Sequence, residues 1–293
     1  MHQVEVQNEI GKVMWRGQIS IDRKGFDTLL EKIRTIERSN SDMVKGIFMN
    51  PTGNYHMPLH HFLETNGYTV IYVDPRVTDY ARKMENLGKE KSDAVDAAML
   101  ASTPWKDKKA FDRNTNVRDP LSELTRLHDS VTKNITRITN IIGSDLACIF
   151  PEFKEVFPDI GTAISLAILD QFTTPGAAVK VGMERVWNVM QKASRNHYRI
   201  EETAKLINLA KETIGIPDEY GIYTFRIRQN VARLISEKKQ LKEIEEKIHK
   251  LAENNENVKR IDGIKGIGLV NAAAIVSEIG DIKQFDSALK LQS

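Results

Sequence analysis

The sequence predicts an α/β domain followed by an all-α remainder. Three observations carry this. Short continuous apolar runs, MVKGIFM and YTVIYV, alternate with helix-period segments up to about residue 105. Beyond about residue 115 the strand pattern is gone. Two long stripes of apolar residues at spacings of three and four then begin near Leu121 and Ile227.

The first element is a hairpin. In HQVEVQNE, Val4 and Val6 share one face, with Gln3, Glu5 and Gln7 on the other. VMWRGQISI is similarly strand-like, and Ile10-Gly11-Lys12 suits the turn between them. Asp22 precedes an amphipathic helix carried by Phe26, Leu29, Leu30, Ile33 and Ile36. MVKGIFM is a buried strand that stops at Asn50-Pro51-Thr52-Gly53, and PLHHFLETNG is a helix closed by Gly67. YTVIYVDP is a second buried strand ending at Asp74. TDYARKMEN reads as a helix, and SDAVDAAMLAS as another with Ser92 as its N-cap. The order β-β-α-β-α-β-α over residues 1–105 predicts a mostly parallel core with an antiparallel edge.

The remainder is helical. Leu121, Leu124, Leu127, Val131, Ile135, Ile138 and Ile142 mark one long helix. Ile227, Val231, Leu234, Leu241, Ile244, Ile248 and Leu251 mark a second. Their near-heptad stripes suit an antiparallel, coiled-coil-like pair over residues 115–255. Residues 256–293 open a further segment containing Gly263, Gly266 and Gly268 in GIKGIG.

The 293 residues suffice for a sizeable core, and the formal net charge of +2 neither demands nor excludes a polyanionic partner. The one cysteine, Cys148, sits in an apolar setting and cannot build a disulfide framework. No run reaches the length of a membrane span, and MHQVEVQNEIG carries no signal-peptide pattern. The expectation is a cytoplasmic protein of a reducing compartment.

Asp93 and Asp96, three residues apart, share one helix face. Such carboxylates repel unless a cation joins them, and Mg²⁺ takes carboxylate oxygens while binding phosphate substrates. The alternative is a helix N-terminus that uses its acids for the macrodipole. Asn50 and Asp74 end neighbouring strands, where open α/β sheets bind ligands, although either also suits a turn. Lys89 and Lys91 are placed to steer phosphate or to sit in a solvated loop. The GIKGIG stretch, followed by LVNAAAIVSEIG, resembles a helix-hairpin-helix. It offers backbone N–H groups to a DNA phosphate, or equally serves close helix packing. His56, His60 and His61 lack zinc-ligand spacing and are expected on the surface or in the core.

FMNPTGNY, GYTVIYVDP, KEKSDAVDAAMLA and IDGIKGIGLVNAAAIVSEIGDIKQFDSALKL occur in that order. Together they resemble the DEDD-type insertion-sequence transposases, bridge-RNA-guided DNA recombinases of bacteria and archaea. The resemblance implies a RuvC-like, ribonuclease-H-fold N-terminal domain, a coiled-coil connector and a C-terminal transposase domain. It implies Mg²⁺-dependent phosphodiester transfer, partnership with DNA and guide RNA, and assembly as a homo-oligomer. It places Asp93 and Asp96 among the metal-binding carboxylates and Asn50 where the family has a glutamate. Thr52, Lys89, Lys91, Gly263, Lys265, Gly266 and Gly268 fall in the nucleic-acid-binding set. Arg126, Lys133, Arg137, Arg226, Arg228, Arg233, Lys238 and Lys239 on the long helices join them as candidate phosphate contacts, although each taken singly better suits solvated surface.

The sequence departs from the family at three places. An amide replaces the glutamate, the family's first strand with its Gly-Ile-Asp motif has no counterpart, and the nucleophilic serine's Ser-Gly motif lies beyond Ser293. The expectation is therefore a copy truncated at both ends and inactive alone. The rival readings are a non-catalytic DNA- or RNA-binding remnant and a structure-specific DNA-binding protein built on the glycine hairpin.

Overall fold

Val4, Trp15 and Ile19 seed the first core, and they do so from a hairpin. Strands β1 (His2–Gln7) and β2 (Val13–Ile19) pair antiparallel, with a register shift between Val6 and Gln7. This is a computed structural model, which describes residues 1–50, 54–73, 92–106, 120–194 and 200–280. Two compact units divide the chain, Met1–Val117 and Arg118–Ser293. The hairpin turn is closed by Asn8, whose Oδ1 accepts from the N–H groups of Ile10 at 3.3 Å and Lys12 at 2.9 Å. The polar face of β1 is less wet than its alternation suggests. Glu5 stands opposite Arg16 across the ladder, pairs with it at 2.6 Å, and accepts from Gln7 Nε2 at 2.7 Å. Its side chain is only 1% exposed, because cross-strand partners replace water.

Helix α1 (Arg23–Asn40) begins where Asp22 accepts from the Gly25 N–H at 2.7 Å. Its Phe26, Leu29, Leu30 and Ile33 are buried, as the helical spacing requires. Strand β3 (Ile47–Met49), helix α2 (Met57–Thr65) and strand β4 (Val70–Tyr72) follow. Gly67, at φ +88°, ends the α2 segment in a conformation that favours glycine. Strands β3 and β4 are parallel, joined across the α2 crossover. Helix α3 (Asp93–Lys106) packs against β1 and β3. The described strands form two separate pairs, β1–β2 and β3–β4, where the sequence led us to expect one sheet. Asp74 and the TDYARKMEN helix lie outside the described residues.

The second unit is helical. Helix α4 (Pro120–Ile149) is followed by a short 3₁₀ turn (Pro151–Glu155). Then come α5 (Ala163–Gln171), α6 (Pro175–Val181), α7 (Met183–Ser194) and α8 (Ile200–Lys211). Helix α9 (Ile222–Ala252), α10 (Glu256–Asp262) and α11 (Leu269–Ile279) complete it. Helices α4 and α9 run antiparallel. Asp145, late in α4, meets Arg226, early in α9, at 3.0 Å, and His128 meets Glu245 at 3.4 Å. Ile138, Ile142, Leu146, Ile227, Val231 and Leu234 share one apolar cluster. Leu121, Val131, Ile244 and Ile248 share another with Ala272 and Ala273 of α11.

Two leucines of the expected stripes are elsewhere. Leu127 is 48% exposed and Leu251 46% exposed. The heptad through Leu121, Ile135, Ile142 and Ile149 instead crosses position 128, and that through Leu124, Val131 and Ile138 crosses position 145. The seam therefore carries His128 and Asp145. Two of the basic residues on the long helices have partners within the chain. Arg126 forms a two-pronged pair with Glu278 of α11 at 2.9 and 3.2 Å, and Arg228 Nε donates to Thr173 Oγ1 at 3.1 Å.

Asp145 has a consequence for stability. Its side chain is 3% exposed, and burial raises its carboxyl above the usual value despite the opposing pull of Arg226. A raised native value means the native state holds the proton more tightly than the unfolded chain. Stability from this group is thus greatest at low pH and is lost as pH rises from the ordinary value of 3.8 through the raised native one. Asp145→Leu should flatten that slope, since Arg226 is half exposed and remains hydrated without its partner. Urea unfolding across a pH series measures it. An unchanged slope in the variant would assign the pH dependence to other groups.

Candidate functional site

The ladder of β3 and β4 ends where the Val73 N–H donates to Met49 O at 2.8 Å, which fixes the backbone immediately before Asn50. The Asn50 Oδ1 atom is buried. Ser92 caps α3, its Oγ accepting from the Val95 N–H at 3.3 Å while the Asp96 N–H donates to Ser92 O at 3.0 Å. This sets Asp93 and Asp96 in the first turn, where the helix dipole favours anionic side chains. Asp93 is exposed and Asp96 half-buried. Asn50, Asp93 and Asp96 all line one cavity of about 890 Å³ within the first unit.

The donors are all hard oxygens, two carboxylates and one amide carbonyl. That set suits Mg²⁺, which is commonly held by one or two carboxylates together with water and substrate phosphate. Among the described residues no group of three or more His, Cys, Asp and Glu side chains stands together in a metal-holding arrangement. Of Asn50, Asp93 and Asp96, the two aspartates carry the charge. Thr52, Lys89 and Lys91 lie outside the described residues.

The glycine stretch forms a helix, turn and helix. Asn255 caps α10 by accepting from the Asn257 and Val258 N–H groups at 3.1 and 3.2 Å. Gly266, at φ +95°, lets the chain reverse, and Gly268 leads into α11 in extended conformation. Gly263, Lys265, Gly266 and Gly268 are all exposed, whereas Val258, Ala272 and Ala273 are buried against α4 and α9. The small residues thus serve packing, and the turn is left open to solvent.

His56 and His60 are core residues, and His61 is exposed. His56 and His60 are each 5% exposed, with rings edge-on to Tyr72 at 5.0 Å. His60 Nδ1 bonds the Tyr72 hydroxyl, and its Nε2 lies 2.9 Å from Glu64. The pairs Glu5–Arg16 and Asp145–Arg226 escaped sequence reasoning. The only signal for the second was an acid at a seam position.

In the first unit a parallel strand pair and a helix carrying two carboxylates border one cavity. Comparison with known proteins supplies the class. A family model for DEDD-type IS110 transposases, described as Transposase, matches residues 1–151, and a second, described as Transposase IS116/IS110/IS902 family, matches residues 258–293. The chain belongs to this insertion-sequence transposase family. It is 23% identical over 236 residues to the insertion element IS116 uncharacterized 44.8 kDa protein of Streptomyces clavuligerus, covering 79% of this chain and 58% of that one. To the insertion element IS110 uncharacterized 43.6 kDa protein of Streptomyces coelicolor it is 24% identical over 211 residues, covering 70% and 52%. With the y4uE protein of Sinorhizobium fredii it shares 28% identity over 130 residues, covering 43% and 36%. The chain thus spans between 36% and 58% of the length of these relatives. Among the described residues, no helix is long and apolar enough to cross a membrane.

Proposed function

We propose that this chain contributes the carboxylate site and a DNA-backbone contact to an insertion-sequence transposase. The observation that carries the reading is that Asn50, Asp93 and Asp96 line one cavity in a chain of this family. Asp93 and Asp96 would hold Mg²⁺, with the Asn50 amide oxygen available as a neutral donor beside them. The ion supplies charge neutralisation and polarisation at a scissile phosphate. Asp96 is half-buried and Asp93 exposed, so Asp93 would be the more accessible of the two to substrate. Capping by Ser92 keeps both carboxylates on one rigid turn. The family resemblance adds RNA pairing as the source of sequence choice, DNA and guide RNA as partners, and a homo-oligomer. Its three-part division, with 1–105 RuvC-like, 115–255 the connector and 256–293 the start of the transposase domain, belongs to the same reading.

Calorimetric titration with Mg²⁺ tests the metal site without requiring activity. Asp93→Asn with Asp96→Asn should abolish specific binding, and an unaltered isotherm would sink the assignment. Strand cleavage with Mg²⁺ and cognate guide RNA then asks whether the chain cuts.

The open glycine turn is the DNA-backbone contact in this reading. Binding should weaken steeply between about 50 and 200 mM salt, as counterion release requires. Lys265→Ala should weaken binding uniformly across sequences and reduce the salt slope by about 1. Fluorescence anisotropy on unrelated duplexes measures both. A slope unmoved by the substitution would remove Lys265 from the contact.

The rival reading is a nucleic-acid-binding protein without chemistry. The neutral amide at position 50 favours it, because one carboxylate fewer weakens a hard-cation site. Salt-dependent binding without nicking would support it.

A further inference from the structure

The segment ETIGIPDEYGIYTF, between α8 and the first turn of α9, leaves most of its large apolar side chains in water. Ile214 is 84% exposed, Ile216 53%, Tyr220 87%, Ile222 57% and Phe225 65%. Single exposed apolar residues are ordinary, but a gathering of them on one short segment marks an interaction surface. At about 200 Å² for a fully exposed large residue, within the range for aromatics, these fractions amount to roughly 700 Å². The largest apolar patch on a typical monomer is about 300–600 Å².

The backbone holds this patch open. Glu152 accepts from the Thr213 hydroxyl at 2.6 Å and from the Ile214 N–H at 2.9 Å. The Ile216 N–H donates to Cys148 O at 2.9 Å, and Gly215 packs so closely on the Ile149 carbonyl that no Cβ fits between them. Asp218 accepts from the N–H groups of Tyr223 and Thr224 at 3.3 and 2.8 Å, and from the Thr224 hydroxyl at 2.7 Å. The isoleucines cannot turn inward without breaking these bonds. A surface ordered in advance loses little entropy when it binds.

Position, charge and area say what covers it. The patch adjoins the end of α4 and the start of α9. From Ile222, α9 runs 31 residues, about 45 Å, to Ala252. The start of α4 and the helix α11 lie at that far end, where Arg126 meets Glu278 and Thr125 meets Ser277. The patch is therefore remote from the glycine turn. Its neighbours Lys211, Glu212 and Glu219 are exposed and carry both signs. The two acids oppose a polyanionic partner, whereas mixed charges can pair across a two-fold axis. A standard interface takes about 800 Å² from each partner, close to the area of this patch.

We propose that residues 214–225 form a two-fold interface with a second copy of this chain, the same patch serving on both sides. Tyr220 and Phe225 are its anchors, since large aromatic side chains carry most of the energy of such contacts. The proposal rests on the homo-oligomer of the preceding reading and names the face that makes it. It is independent of the metal site.

Sedimentation equilibrium of the whole chain, from submicromolar to tens of micromolar concentration, should show a monomer–dimer equilibrium. Tyr220→Asp combined with Phe225→Asp should weaken the dimer at least about tenfold. Circular dichroism and melting of the monomer should stay unchanged, because both side chains are already in water. Leu127→Asp, exposed near the start of α4, should leave the dimer intact. In a Cys148→Ala background, Tyr220→Cys should crosslink to its own copy through a short bis-maleimide, and Glu253→Cys, beyond the other end of α9, should not. A chain that stays monomeric throughout would overturn the proposal together with the homo-oligomer. A dimer indifferent to the Tyr220 and Phe225 substitutions, or one that crosslinks at 253 and not at 220, would overturn this face and leave the homo-oligomer standing.

Discussion

Asn50→Glu should tighten Mg²⁺ binding by about tenfold or more, equivalent to about 1.4 kcal/mol. Of the three side chains of the proposed site, Asn50, Asp93 and Asp96, only the two aspartates carry charge. Affinity of hard cations follows the number of charged ligands, so exchanging an amide for a carboxylate at the end of β3 adds the missing one. The same change should harm the metal-free protein. A third carboxylate beside two others raises the energy of the ionised site, and the buried position of the Asn50 side-chain oxygen leaves little water to screen it. The variant should therefore melt below the parent in chelator and close the gap, or pass it, in millimolar Mg²⁺. Calorimetric titration and paired thermal melts read both effects. If affinity were unchanged in Asn50→Glu but lost in Asp96→Asn, the carboxylates would bind metal without help from the strand end.

Ile138→Ala should cost about 2–5 kcal/mol, the range for large-to-small changes in a close-packed core. Ile138 is 0% exposed in the main cluster of the helical unit. Truncation there leaves a cavity between two long, rigid helices with little freedom to collapse. Leu127→Ala is the matched control. At 48% exposure its loss should stay within about 0.5 kcal/mol, as for ordinary surface positions. Urea denaturation of both variants measures the contrast. Comparable losses would mean that the seam runs through Leu127 after all.

Much of the local structure was legible in the sequence. Alternation gave the hairpin, with Gly11 at its turn in a left-handed conformation. Period-3.6 spacing marked the buried residues of α1, and Asp22 and Ser92 cap helices as their side-chain chemistry suggests. The family was legible too, because four ordered segments carry it, and the comparisons show it. The stripe of α4 was misread at one turn. Spacings of three and four fit Leu127 as well as His128 on paper. A sequence reader prefers the leucine, whereas the helix partner accepts the histidine because Glu245 meets it. Asp145 was missed for the same reason. A buried acid in a seam is tolerable only with Arg226 opposite, and that partner is about eighty residues away in sequence.

The sequence by itself determined the hairpin, the long helices and the family, since each depends on neighbours within a few residues or on ordered motifs. Only the tertiary structure decided that Asn50 shares a cavity with Asp93 and Asp96, and which polar groups hold the long helices in register. These are meetings of residues far apart in the chain. They are fixed by packing and by the pairing of buried charge, and no local spacing rule encodes them.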